Sequence, residues 1–233
     1  MASLRMRDGK NVEIEVRRSP RARRILLHVD VYTGAVELVL PRRTSLEEGL
    51  GFARSKSAWL QSRLKEITPA VPFADGARVP LLGKEVRIRH VPQLFDEVWR
   101  ENGTLVVAGD GAGIAARVES WLREEAARAL APVADEKAER LGTKYRRIVV
   151  RDPRTRWGSC SLSGDLAFSW RLVMAPKDVL EYVVAHEVAH LKVMNHSRRF
   201  WTLVDKICDG VEDSRDWLRV NGAALHRYGP PPG

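Results

Sequence analysis

His186, Glu187 and His190 stand in the order His-Glu-x-x-His, a spacing that places two imidazoles and a carboxylate together if the segment is helical. Residues four apart lie one above the other on a helix, so both rings can reach a single metal ion. The glutamate, one position round, faces a water activated by that ion and serves as a general base, not as a ligand. The flanking residues demand such a partner. From Val179 to Met194 the apolar side chains, among them Leu180, Val183, Val184, Val188 and Leu191, spread round nearly the whole circumference, which is the pattern of a buried helix. Three polar groups inside a buried helix are costly unless something pairs with them, and one ion satisfies all three.

A catalytic zinc takes three protein ligands and leaves one position open, so a third ligand is needed, and His196 is the nearest candidate. On a straight helix rising about 1.5 Å per residue it would stand roughly 9 Å beyond His190, out of reach of the same ion. The helix must therefore end first. Asn195 can take the left-handed conformation that closes a helix, and Ser197 can cap a new one running through Phe200, Trp201, Val204 and Ile207. An exposed corner histidine is the competing reading of His196, with Glu212 or Asp209 then supplying the third ligand.

The elements that must position these residues are readable along the chain. Ile25, Leu27, Val29 and Val31 alternate, Tyr32-Thr33-Gly34 interrupts, and Val36, Leu38 and Leu40 alternate again, which predicts a hairpin. Thr44-x-x-Glu47 and Ser45-x-x-Glu48 both read as capping boxes for a helix of about 20 residues. Thr68 to Pro72 breaks the pattern, and further strands are expected at Val86 to His90 and Val98 to Ala108, turning at Asn102-Gly103. Gly109 to Gly113 is the most glycine-dense stretch and the expected boundary, dividing a β-rich basic region, 1–112, from a catalytic region, 113–233. Beyond it, Ile114 to Leu141 reads as one long helix with Pro132 inside and Gly142 at its end. Strands follow at Tyr145 to Arg151 and Leu166 to Val173, and Pro176 with Asp178 announces the helix of the histidines. No internal repeat is evident.

With 233 residues and 44% hydrophobic content, the chain can bury a substantial core. Two cysteines, Cys160 and Cys208, are too few for a disulfide framework and read as small buried apolar residues. No apolar run approaches the roughly 20 residues of a membrane span, and the start lacks the apolar stretch of a signal peptide, so the expected location is the cytoplasm, with no membrane partner. Residues 1–70 hold 14 Lys and Arg against 8 Asp and Glu, which places +6 of the net +9 there. Arg17, Arg18, Arg21, Arg23 and Arg24 concentrate that charge, which reads first as a solvated basic loop and, as the alternative, as a surface for DNA association.

Three segments together carry a resemblance: Arg156-Trp157-Gly158-Ser159-Cys160-Ser161, then Tyr182 to Leu191, then Met194-Asn195-His196-Ser197 with Phe200-Trp201. The chain resembles the YgjP-like metallopeptidase family, and the likeness extends from the Arg17 to Arg24 region down to Trp217-Leu218. It implies a zincin-like catalytic domain, Zn2+ held by His186, His190 and His196, and Glu187 as catalytic base. Over the active-site helix and third histidine the chain is also similar to Wss-type and SprT-like proteases that digest proteins crosslinked to DNA. The metzincin pattern is met only in part, because Val193 stands where those proteins have glycine and no methionine follows Met194. In the Arg156 run, Trp157 reads as core and Gly158 as a turn or bulge, while Arg156 can stabilise an oxyanion or hold a substrate carboxylate.

The expected fold is α+β, a β-rich N-terminal region followed by a zincin-like metalloprotease domain. The expected reaction is hydrolysis of peptide bonds in a protein or peptide, with a substrate strand pairing to the sheet edge near Leu166 to Val173. Two other readings stand beside it: a nucleic-acid-associated protein whose metal site is structural or vestigial, and a metal-dependent hydrolase of non-peptide substrates.

Overall fold

The computed structural model describes residues 2–6, 11–30, 34–65, 69–92, 95 and 97–229. The chain forms two compact units, Met1–Ala70 and Val71–Gly233.

The first unit opens with strands β1 (Ala2–Arg5), β2 (Asn11–Ser19), β3 (Leu26–Val29) and β4 (Val36–Pro41), followed by helices α1 (Leu46–Ser55) and α2 (Ser57–Lys65). Its sheet runs β1-β2-β4-β3. The predicted hairpin is present, with Leu26 opposite Val39 and Val29 opposite Val36. Tyr32 and Thr33, expected to interrupt it, lie outside the described residues, as does Thr68 of the breaker. Of the two capping boxes, the one at Ser45 forms: its hydroxyl accepts from the Glu48 amide, and the Glu48 carboxylate accepts from the Ser45 amide. The single helix expected here is broken at Lys56, whose ψ of 12° leaves the helical range. That step lets α1, through Ala53, and α2, through Leu60, bury side chains in the same small core with Ile14, Leu38 and Leu40. Arg17 pairs with Glu37, and Arg18 donates to the carbonyl oxygens of Arg42 and Thr44, so both are committed within the unit.

The second unit begins with β5 (Arg78–Leu81), β6 (Lys84–Val91), β7 (Glu97–Glu101) and β8 (Thr104–Ala108), in the order β5-β6-β8-β7. Asn102 and Gly103 have φ of 48° and 76°, the doubly left-handed turn that Asn-Gly favours, and they close the β7–β8 hairpin. Helix α3 (Ile114–Leu141) keeps Pro132 in its interior and ends at Gly142, whose φ of 59° lets its amide bond back to the carbonyls of Ala138 and Glu139. Then come β9 (Arg147–Arg151), β10 (Gly158–Cys160) and β11 (Asp165–Ser169), a 3-10 helix over Trp170–Met174, and helices α4 (Lys177–His190), α5 (Arg198–Ile207) and α6 (Val211–Leu225). The fold is thus α+β, with two four-stranded sheets before α3, a three-stranded sheet after it and helices α4 to α6 last.

Two expectations are corrected, and one regularity was not foreseen. Val79, Val86, Ile88, Leu105 and Val107 share one apolar core with side chains of α3 and α4, so a boundary at 112/113 falls inside the second unit, and the glycine-rich stretch is a turn into α3. The strand expected over Leu166 to Val173 stops at Ser169, whose hydroxyl accepts from the Arg171 amide and caps the 3-10 helix. Finally, a topology repeats where no sequence repeat is visible: in both four-stranded sheets an antiparallel pair, a parallel pair and an antiparallel pair follow in the same order.

Arg171, 0% exposed in its side chain, holds the end of this unit. It forms two bonds to the Asp152 carboxylate (2.7 and 3.0 Å) and donates to the carbonyl oxygen of Tyr228 at 2.7 Å. Tyr228 lies beside Val71, whose amide donates to the Arg227 carbonyl at 2.8 Å and whose carbonyl accepts from Gly229 at 2.9 Å. No described helix is long and apolar enough to cross a membrane.

Candidate metal centre

Helix α4 is buried on most of its surface through Val179, Leu180, Val183, Val184, Val188 and Ala189, which fixes its rotation and hence the direction of His186, Glu187 and His190. It ends earlier than expected, with His190 as its last residue. The amides of Leu191, Lys192 and Val193 bond to the carbonyls of Val188 and Ala189, tightening the last turn. Asn195 is not left-handed; its side-chain oxygen accepts from the Ser197 amide at 3.3 Å. Ser197 then begins α5 as expected, although without a side-chain cap bond. The corner this makes returns His196 toward the two helical histidines.

The ligand nitrogens of His186, His190 and His196 lie within 4.8 Å of one another, with the Nε2 atoms of His186 and His196 separated by 3.0 Å. Ligands at about 2.0–2.1 Å from a tetrahedral ion stand roughly 3.3 Å apart, so the set lies near that size, with its widest separation above it. The chemistry of the donors agrees. Nδ1 of His190 is 3.1 Å from the Val193 carbonyl oxygen, which sets that nitrogen as the N–H and leaves Nε2 as a lone-pair donor. Burial, reinforced by the neighbouring His190 and His196, pushes His186 down to about 4, and burial also lowers His190. Both shifts favour the neutral ring on the helical histidines, which is the form that binds metals. Phe200 is fully buried, with its ring centroid 4.4 to 4.9 Å from all three imidazoles, and restricts how they can turn. Glu212 is paired with Arg215 at 2.7 Å and, like Asp209, does not join the cluster.

Glu187 is 6% exposed, and its carboxyl is pushed up to about 7 by burial, with the Arg156 charge opposing the rise. What makes room for it was not foreseen. Gly158 is neither a turn nor a bulge: it sits in regular register in β10, opposite Phe168, with its missing side chain directed at Glu187. Trp157 is structural, as its type suggested, stacking on His226 at 5.2 Å and covering Gly222. Cys160 and Cys208 are both free thiols, and burial first, then Glu187, pushes Cys160 up to about 11, so it stays protonated. The sheet edge also differs from expectation. β11 is the middle strand of β10-β11-β9, and the edge beside the histidine helix is β10.

A family model described as YgjP-like, metallopeptidase domain, matches residues 23–221, in agreement with the motifs quoted from the sequence. No curated protein matches the chain. Among solved structures, the chain is similar to the metallopeptidase zymogen of Pyrococcus abyssi abylysin, at 20% identity over 40% of this chain and 95% of that one, with a TM-score of 0.36. It is likewise similar to the metallopeptidase zymogen of Methanocaldococcus jannaschii jannalysin, at 18% identity over 40% of this chain and 88% of that one, with a TM-score of 0.35.

Proposed function

The chain belongs to the YgjP-like metallopeptidase family, and from that premise we propose that it is a zinc-dependent peptidase, with His186, His190 and His196 as ligands and Glu187 as general base. The observation that carries this reading is the convergence of three imidazoles, two of them from the helix that also holds the buried Glu187. An all-imidazole set suits zinc, whereas magnesium and calcium prefer oxygen ligands. Bound there, the ion supplies a Lewis acid that polarises a carbonyl and lowers the pKa of water toward about 7.

The chain's own residues do the rest. Glu187 takes the proton of the attacking water on its carboxylate and returns it to the leaving amine nitrogen. A carboxyl held at about 7 can do both near neutral pH, because neither its charged nor its neutral form is strongly disfavoured. Gly158 leaves the carboxylate the space that a side chain there would take. The edge of β10, which carries Gly158, offers backbone groups along which an extended substrate can lie as an added strand, so the substrate edge is assigned to β10 rather than β11. A structural zinc site closes its fourth position with a protein ligand, and among the described residues no fourth Cys, His, Asp or Glu joins the three histidines, which favours the catalytic reading.

The deciding experiment is Glu187→Gln, assayed for zinc content and for hydrolysis of an unfolded casein. We expect one zinc per chain in parent and variant alike, with hydrolysis abolished in the variant. Activity within a few-fold of the parent would assign the base elsewhere.

A further inference from the structure

In the first unit, β3 ends its sheet: among the described residues it pairs with β4 alone. Its entry, Arg24 to Leu27, forms with Phe52, Lys56 and Trp59 a groove of about 630 Å³. Trp59 is 41% exposed and Leu26 44% exposed. Large apolar side chains exposed beside a strand that ends its sheet are unusual, since edges are normally blunted by charge, proline or a covering element. Lys56 sits over the Phe52 ring at 5.9 Å, and neither Lys56 nor Arg24 pairs with a carboxylate among the described residues.

We propose that this groove binds an extended segment of a partner polypeptide as an added strand on β3. An apolar side chain seats between Leu26 and Trp59, and acidic side chains answer Arg24 and Lys56. The edge supplies unpaired backbone donors and acceptors, which fix a strand, and the side chains above it select what the strand carries. Single-stranded nucleic acid is the weaker occupant: bases would stack on Trp59 and Phe52, but Ile25, Leu26 and Leu27 present aliphatic groups and the strand edge adds nothing that phosphates need. A second copy is disfavoured because two such surfaces would bring together arginines and lysines of like charge. That the bound segment belongs to a substrate rests on the peptidase reading; the binding itself does not.

The test uses the full chain carrying Glu187→Gln, so that nothing is cleaved, and a fluorescein-labelled nine-residue probe peptide alternating Glu and Leu. Anisotropy should show saturable binding, weakened at least about tenfold by Trp59→Ala, the scale of losing an aromatic anchor. The double substitution Arg24→Glu with Lys56→Glu should weaken it similarly and favour a probe with Lys in place of Glu. A probe N-methylated on the face that pairs with β3 should bind poorly to the unaltered surface, a comparison that needs no folding of a variant. Absence of probe binding, equal affinity for the N-methylated probe, or indifference to Trp59→Ala would overturn the proposal. Binding of oligo-dT in place of the peptide, or dimerisation abolished by Trp59→Ala without probe binding, would reassign the groove. Loss of peptidase activity elsewhere leaves these measurements untouched, so the two readings fail separately.

Discussion

A methyl group built on Gly158 would stand 2.6 Å from Cγ of Glu187 and 2.7 Å from its Oε1, closer than any real side chain comes. Gly158→Ala should therefore displace the carboxylate while leaving the histidines in place. Misplacement of about 1 Å costs on the order of a hundredfold in rate, so we expect casein hydrolysis to fall by about that factor with zinc content unchanged. A fully active Gly158→Ala chain would mean that Glu187 has room to move without consequence.

The three histidines make a separable prediction. His186→Ala and His190→Ala should lose the ion, and both should unfold at lower temperature than the loaded parent, because binding to the native state alone stabilises it. His196→Ala should bind more weakly. Treating the parent with a chelator should reproduce the lower unfolding temperature, and restoring zinc should reverse it. Elemental analysis decides the matter: stoichiometric zinc in both helical variants is the outcome the assignment cannot survive.

Arg171 tests a different part of the molecule. Its removal leaves the Asp152 carboxylate and the Tyr228 carbonyl without the guanidinium that joins them. Breaking one partner of a buried ion pair destabilises by about 3–5 kcal/mol, and we expect Arg171→Ala to shift the urea midpoint accordingly. Arg171→Lys should recover little of this, since an ammonium cannot hold both carboxylate oxygens and the carbonyl in the same fork. A loss below about 1 kcal/mol would show that water replaces the arginine freely.

His226 supplies the pH dependence. Burial first, then the Arg171 charge, pushes its imidazole down to about 4, while Asp152 opposes them. The unfolded chain, with its histidine near 6.5, binds the proton more readily, so stability is present above about 6.5 and is lost as the pH falls toward 4. The slope from this one group reaches at most about 1.4 kcal/mol per pH unit. Unfolding temperatures between pH 7 and 4.5, measured with chelator throughout, should fall more steeply for the parent than for His226→Gln. Parallel curves would remove His226 from the acid response.

What could be read from residues alone was whatever a short repeat determines. The i, i+4 relation of His186 and His190 is local, and so is the signal that Asn102-Gly103 closes a hairpin or that Gly142 ends α3. The need for a break before His196 followed from helical rise, but its position did not. The last turn of α4 is tightened where His190 meets the Val193 carbonyl, a side chain and a backbone group acting together. Gly158 was missed because its reason lies in another element, across space. Arg171 was missed because an apolar run, Leu166 to Val173, reads as a strand whether or not it coils at its end, although a charge inside such a run was a sign of something paired. The division of the chain was misplaced for a related cause: glycines at 109–113 mark a turn, while membership of a core depends on partners far along the sequence.

Val71 and Tyr228 sit side by side, bonded through the amides and carbonyls of Val71, Arg227 and Gly229. The first residue of the unit that carries the histidines thus lies beside the segment that follows its last helix, like the two halves of a clasp. Its backbone can be closed there by a short linker and reopened at an exposed loop, yielding a circularly permuted enzyme with the same contacts in a new order. The same adjacency suits the unit to insertion in a host loop, whose ends would need to stand only about a strand spacing apart.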